Sequence, residues 1–236
     1  MSGMDLSPYK KFAKEKLKLE FKDINLLVTA MTHRSYVNEH KKSSSEHNER
    51  MEFLGDAVLE LVTTRFLFDN FPDKPEGVLT SWRAALVRTE SIASAGSEIG
   101  FEPLVRMSRG EKRGSQRARL HILANAFEAL IGAIYLDQGY GEADKFIEEH
   151  ILSKTEAILT DESWRDPKSY LQELSQRIDN QMPSYKVLNE DGPDHDKRFV
   201  IGVYINRKLI GKGSGTSKQM AQQEAAKKAI ESYKKK

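Results

Sequence analysis

The stretch Asn48-Glu49-Arg50-Met51-Glu52-Phe53-Leu54-Gly55-Asp56-Ala57-Val58-Leu59 decides how the chain is read. Wound as a helix, it places Glu52 and Asp56 at i and i+4, one turn apart on one side, beside the apolar Phe53, Leu54, Ala57, Val58 and Leu61. Two like charges at that spacing weaken an isolated helix by about a few tenths of a kcal/mol. A solvated helix edge would tolerate them, and so would a bound cation. A second stretch, Ile122-Leu123-Ala124-Asn125-Ala126-Phe127-Glu128-Ala129-Leu130-Ile131-Gly132-Ala133-Ile134, weighs that choice. It is apolar nearly all round except at Asn125 and Glu128, one turn apart, so it reads as a buried helix. A buried, ionised carboxylate without a partner costs several kcal/mol, so Glu128 needs a cation or a proton. If the two helices cross, Glu52, Asp56, Glu128 and the Asn125 amide oxygen converge. An all-oxygen cluster suits Mg²⁺ or Mn²⁺, and the chemistry it implies is metal-assisted phosphodiester hydrolysis.

Outward from these stretches, the pattern stays helical from Ser7 to about Leu159. Apolar periodicity covers 22–37, 49–69, 77–99, 117–137 and 142–159, with turn residues at Phe71-Pro72-Asp73, Gly100, Gly110 to Gly114 and Gly139-Tyr140-Gly141. An N-capping Asp166 followed by Pro167 then opens a short helix over 168–179. Beyond it the period changes to that of strands at Tyr185–Asn189, Phe199–Ile205 and Arg207–Ile210. A Gly-rich link, Gly211 to Gly215, leads to Ser217 as the N-cap of a last helix, where Ala221, Ala225 and Ala229 recur at i+4 and let the helix lie close on a sheet. The expected architecture is an all-α domain over 1–162 followed by a small α+β domain over 163–236, ordered α-β-β-β-α.

Composition narrows the chemistry. The 236 residues include no cysteine, which excludes disulfide frameworks, thiolate metal sites and thiol nucleophiles. The longest apolar run, Ala129 to Leu136, is far short of the roughly 20 residues of a bilayer span, so no membrane partner and a cytoplasmic setting are expected. Residues 1–160 hold 22 basic and 24 acidic side chains, whereas 197–236 hold 11 basic and 2 acidic. A basic surface confined to one small domain fits a polyanion. The Gly-rich segment 211–215 lacks the Gly-Lys-Ser/Thr ending of a phosphate-binding loop, so no nucleotide cofactor is expected.

These residues closely resemble the ribonuclease III family. Asn48 to Asp56 is similar to its signature helix, Leu123 to Leu130 to its second acidic motif, and 166–236 to a double-stranded-RNA-binding domain with Gly192-Pro193-Asp194-His195 and Gly213-Ser214-Gly215-Thr216-Ser217-Lys218. The resemblance covers nearly the whole chain. It implies an all-α endonuclease domain that cuts double-stranded RNA in the presence of Mg²⁺, with Mn²⁺ able to substitute. The products implied are 5′-phosphate and 3′-hydroxyl ends, and the implied setting is ribosomal-RNA-precursor and messenger-RNA processing. It assigns metal binding to Glu52, Asp56, Asn125 and Glu128 and hydrolysis chiefly to Asp56 and Glu128, and it matches Glu49 and Glu76 to acids near the cleavage site. Asn125 stands where most members carry Asp, which removes one negative charge; weaker ion affinity follows, and a non-catalytic dimeric RNA binder is the alternative. The family is a homodimer in which the aromatic matching Phe53 inserts into the partner. Gln172 and Glu173 would meet one minor groove of the duplex, His195 the next, and Lys218 the phosphates between. His33 reads as a hydrogen-bonded structural residue, and Trp82 as core or dimer surface instead of a base-stacking platform.

Overall fold

The computed structural model describes residues 4–41, 46–160, 164–193 and 197–234. Its first part contains α1 (Ser7–Phe12), continued by a π-helical turn (Ala13–Leu17), then α2 (Ile24–Ala30), α3 (Arg34–Glu39), α4 (Glu49–Asn70), α5 (Glu76–Leu86), α6 (Thr89–Ile99), α7 (Arg109–Lys112), α8 (Gln116–Gln138), α9 (Tyr140–His150) and α10 (Thr155–Thr160). The second part contains α11 (Pro167–Asp179), β1 (Ser184–Asp191), β2 (Arg198–Ile205), β3 (Lys208–Gly215) and α12 (Lys218–Lys234). Contacts divide the chain into Met1–Trp164 and Arg165–Lys236. The boundary expected near residue 162 falls outside the described residues.

Three expected helical stretches are interrupted, each at a place where the backbone bonds elsewhere or turns. The 22–37 stretch breaks at Met31–His33 because this segment pairs with the loop before α7: the Arg106 N–H donates to Met31 O (2.7 Å) and the His33 N–H to Arg106 O (2.9 Å). Backbone groups used across the molecule are lost to a continuous helix. The 77–99 stretch turns at Val87 and an extended Arg88 into α5 and α6, and 142–159 breaks at Ile151. His33 caps α3 through its ring nitrogen, which accepts from the Ser35 N–H at 3.3 Å, a structural position as expected.

At the centre of the first unit lies α8. It has the length and apolar composition of a membrane span, yet most of it is buried within the unit. Phe127, Leu130, Ile131 and Ile134 are fully buried against α2, α4, α6 and α9, each contributing about 1.5–3 kcal/mol of transfer free energy. Trp82 is also buried, edge-on to Phe71 and Trp164. The most extensive helix pair is α4 with α8, and two glycines allow it. A Cβ on Gly55 would stand 1.7 Å from the Glu128 carbonyl oxygen, and one on Gly132 would stand 2.4 Å from that of Met51. The backbones touch at this crossing.

In the second unit, β1-β2-β3 form an antiparallel sheet. Phe199, Ile201, Val203 and Ile205 alternate inward on β2, and Leu171 and Leu174 of α11 share a core with Ala225, Ala226 and Ala229 of α12. The expectation of a Gly-rich link after the third strand is corrected here. Gly211, Gly213 and Gly215 belong to β3, paired with Val203, Ile201 and Phe199. Their period of two puts them on one face, against α12, where a Cβ on Gly213 would come within 2.2 Å of the Ala225 nitrogen. Glycine here is a close-approach residue inside a strand, matched to the alanines of the helix.

Candidate active site

The Gly55–Gly132 contact determines which side chains meet. Asp56 directly follows the glycine that touches the backbone of Glu128, and Glu52 lies one turn earlier on α4. Asn125 and Glu128 lie one turn apart on α8. The four are thereby brought together at one helix crossing, and their electrostatics show the coupling. Burial first, then the charges of Asp56 and Glu52, push Glu128 up to about 7 from an ordinary 4.5. Glu52 is also pushed up, by burial and then by Glu49 and Asp56, while a hydrogen bond donated by the Asn125 amide pulls the other way. Carboxylates that raise one another's proton affinity lack compensating positive charge. Among the described residues, no three His, Cys, Asp or Glu side chains stand as a ready-made ion cage. The pocket is a set of acids within electrostatic reach of one another, without a closed coordination sphere. Its donor set is nonetheless wholly oxygen, three carboxylates and one amide, which suits a hard cation that retains waters.

The remaining acidic positions lie in other surroundings. Glu49, the first residue of α4, is half-exposed, accepts a hydrogen bond from Arg34 at 3.1 Å and lies 3.7 Å from the His47 ring. It acts on the acid cluster through its field on Glu52. Glu76 begins α5 and lines a separate cavity of about 560 Å³ with Leu67, Phe68, Phe71 and Leu79. Phe53 is 80% exposed. It borders an open groove of about 800 Å³ lined also by Met51, Leu54 and Leu136. Glu46, His47, Glu49 and Arg50 line the same groove, so the exposed ring stands beside a surface of mixed apolar and charged character.

On the second unit, Gln172 and Glu173 are exposed on α11. Lys218 is exposed at the start of α12, where the Ser217 hydroxyl accepts from the Met220 N–H at 3.2 Å. His195 lies outside the described residues. Sequence reasoning passed over Glu190 of β1, whose carboxylate is 2.9 Å from Lys197 and 3.7 Å from Lys218. No local signal announces it, because strand pairing is what places β1 beside the start of α12. It also treated Asn48 only as a motif member. Asn48 is 1% exposed and anchors the start of α4, its side-chain amide donating to Ala30 O at 3.2 Å and its N–H to Thr32 O at 2.9 Å. An Asn just before an acidic helix start was the available signal.

Comparison with known proteins places this geometry. Residues 23–155 match the family described as Ribonuclease-III-like, and residues 167–233 match the Double-stranded RNA binding motif. The chain is 45% identical over 219 residues to Ribonuclease 3 of Enterococcus faecalis, covering 93% of this chain and 95% of the relative. It is 44% identical over 213 residues to Ribonuclease 3 of Streptococcus gordonii, covering 90% and 91%. Among solved structures, the nuclease domain of ribonuclease III from Campylobacter jejuni superposes with a TM-score of 0.54 at 36% identity, over 65% of this chain and 97% of that one. A second structure of that domain, described for flexibility in the region involved in dimer formation, gives 0.53 at 39% identity, over 59% and 96%. With both domains matched in order and the acids of two helices gathered at one crossing, the chain belongs to the ribonuclease III family.

Proposed function

We propose that this double-strand-specific endoribonuclease hydrolyses RNA at the pocket of Glu52, Asp56, Asn125 and Glu128, with Asp56 and Glu128 as the catalytic pair and Mg²⁺, or Mn²⁺ in its place, held among the four. The observation that carries the reading is the meeting of acids from α4 and α8 at a glycine crossing, with Glu128 pushed up to about 7 by burial and then by the charges of Asp56 and Glu52. When bound, a divalent ion supplies Lewis acidity, easing the deprotonation of water and stabilising charge on the attacking and leaving oxygens. The protein's own part is to hold three carboxylates together at one crossing, where their mutual repulsion and partial burial favour a cation in their midst. Asn125 contributes an oxygen without charge. Its amide also keeps Glu52 oriented by the hydrogen bond that it donates.

The products of this reading are 5′-phosphate and 3′-hydroxyl ends, and the work is the maturation of ribosomal-RNA precursors and messenger RNA. Two copies pair through the face bearing Phe53, whose ring and adjoining groove offer a self-complementary contact of the kind a two-fold dimer uses. A pair of sites would then cut both strands. Gln172, Glu173, His195 and Lys218 hold the duplex by its shape and backbone, the mode that A-form RNA permits. The test is incubation of a long duplex RNA with the protein under Mg²⁺ and under Mn²⁺, with an Asn125→Asp variant alongside and ion affinity measured by calorimetry. Cleavage to short duplexes is expected, with the variant needing less metal and binding it more tightly. Intact RNA under both metals would leave a non-catalytic duplex binder.

A further inference from the structure

We propose that Arg117 and His121 form a phosphate track on α8, which receives the RNA strand as it enters the acid pocket. The inference rests on the functional reading above, since the track has a destination only if the strand is cut at that pocket. Residues 117, 121, 125 and 128 of α8 are spaced at i, i+4, i+8 and i+11 and so lie on one stripe of the helix. At about 1.5 Å of rise per residue, His121 is about 6 Å along the axis from Asn125 and Arg117 about 12 Å. The stripe runs from cation to imidazole to amide to carboxylate. Arg117 and His121 are exposed, whereas Asn125 and Glu128 are half-buried, so the stripe slopes from the surface into the pocket.

The charge on this stripe is uncommitted. Arg119, two residues along and on a different face, is ion-paired with Glu102. Among the described residues, Arg117 and His121 have no such acidic partner. Ser115 caps the helix just before them, its hydroxyl accepting from the Ala118 N–H at 3.2 Å, and the partial positive charge of that helix end adds to Arg117.

A physical need meets this arrangement. The pocket carries three carboxylates, and a phosphodiester backbone approaching it is repelled until the cation is in place. A positive guide just outside offsets that repulsion and fixes the register of the strand. One helical turn between successive side chains is comparable with the spacing of neighbouring phosphates along a strand. Arg117 can make a two-pronged contact with a phosphate, and His121 can donate an imidazole N–H to a phosphate oxygen or a 2′-hydroxyl. An RNA strand therefore fits the stripe better than an acidic peptide, whose charges have no such repeat leading into a hydrolytic pocket.

The experiment compares the wild-type protein with Arg117→Ala/His121→Ala and with His121→Lys, cleaving a defined duplex RNA under Mg²⁺ at several KCl concentrations. Calorimetric Mn²⁺ binding and thermal melting are followed in parallel. The double variant is expected to raise KM about tenfold and to flatten the log–log salt dependence by about one to two contacts' worth. Its kcat, Mn²⁺ affinity and melting should stay close to wild type, and His121→Lys should keep most of the salt slope. A double variant with unchanged KM and slope, or one that loses kcat alone, overturns the track and leaves the hydrolytic reading standing. Failure of the wild-type protein to cleave overturns the hydrolytic reading instead. Duplex-RNA affinity of the same proteins at the same salts then judges the track, and equal affinities reject it.

Discussion

Glu128 carries the sharpest prediction at the scale of single residues. Its proton affinity is raised, so the folded protein holds a proton between an ordinary carboxylate pKa of 4.5 and about 7 that the unfolded chain releases. Stability from this group is therefore greatest below about 4.5 and declines as pH rises through about 7, opposite in sign to a salt-bridged acid. After discounting for partial exposure, the metal-free protein should lose about 1–2 kcal/mol across that window. Glu128→Gln should remove the loss, so urea unfolding at pH 8 should show the variant more stable than wild type, with the difference vanishing near pH 4.5. The same variant should cleave duplex RNA at least about 10³-fold more slowly, since several kcal/mol of charge stabilisation go with the carboxylate, while gel-shift affinity for RNA stays intact. Undiminished turnover would place the hydrolytic site elsewhere.

At the scale of elements, the crossing of α4 and α8 depends on Gly55 having no side chain. Gly55→Ala should cost about 3 kcal/mol or more, because the new carbon meets a backbone carbonyl and not a flexible side chain that could move. A urea midpoint close to that of wild type would contradict the backbone contact. Activity should fall further than stability alone explains, since separating the helices also separates Asp56 from Glu128. In the second unit, α12 presents Lys218 beside a capped helix start. Its contact with Glu190 is long and exposed, screened by solvent, so an RNA phosphate can displace it readily. Lys218→Ala should weaken duplex binding and reduce the salt slope by about 0.9, the share of one phosphate contact. A slope equal to that of wild type in a filter-binding titration would take Lys218 out of the interface.

For the whole molecule, the exposed apolar positions of α4 fall on one stripe. Phe53, Leu61 and Phe68 are 80%, 57% and 71% exposed, and successive members lie eight and seven residues apart. A surface of this kind on one long helix is expected to meet its own copy. The wild-type protein is expected to sediment as a dimer at micromolar concentration and Phe53→Asp as a monomer, while thermal melting of the second unit is preserved. A dimer of unchanged strength would move the contact to another face.

The periodicity of Asn48 to Leu59 and Ile122 to Ile134 made two helices and their acids legible, because helical spacing is a local property of the chain. The change of period after Pro167 made a second, strand-bearing domain equally legible. Tertiary structure decided the rest. The glycines of 211–215 look like a link in one dimension and are strand, because only the approach of α12 shows why side chains are excluded there. Residues 31–33 leave the helix because a loop more than 70 residues away supplies their hydrogen bonds. The pairing of Glu52 and Asp56 with Glu128, rather than with Glu76, likewise follows from where Gly55 and Gly132 let two backbones touch. Which acids share a pocket is a matter of packing, and packing is settled between elements distant in sequence.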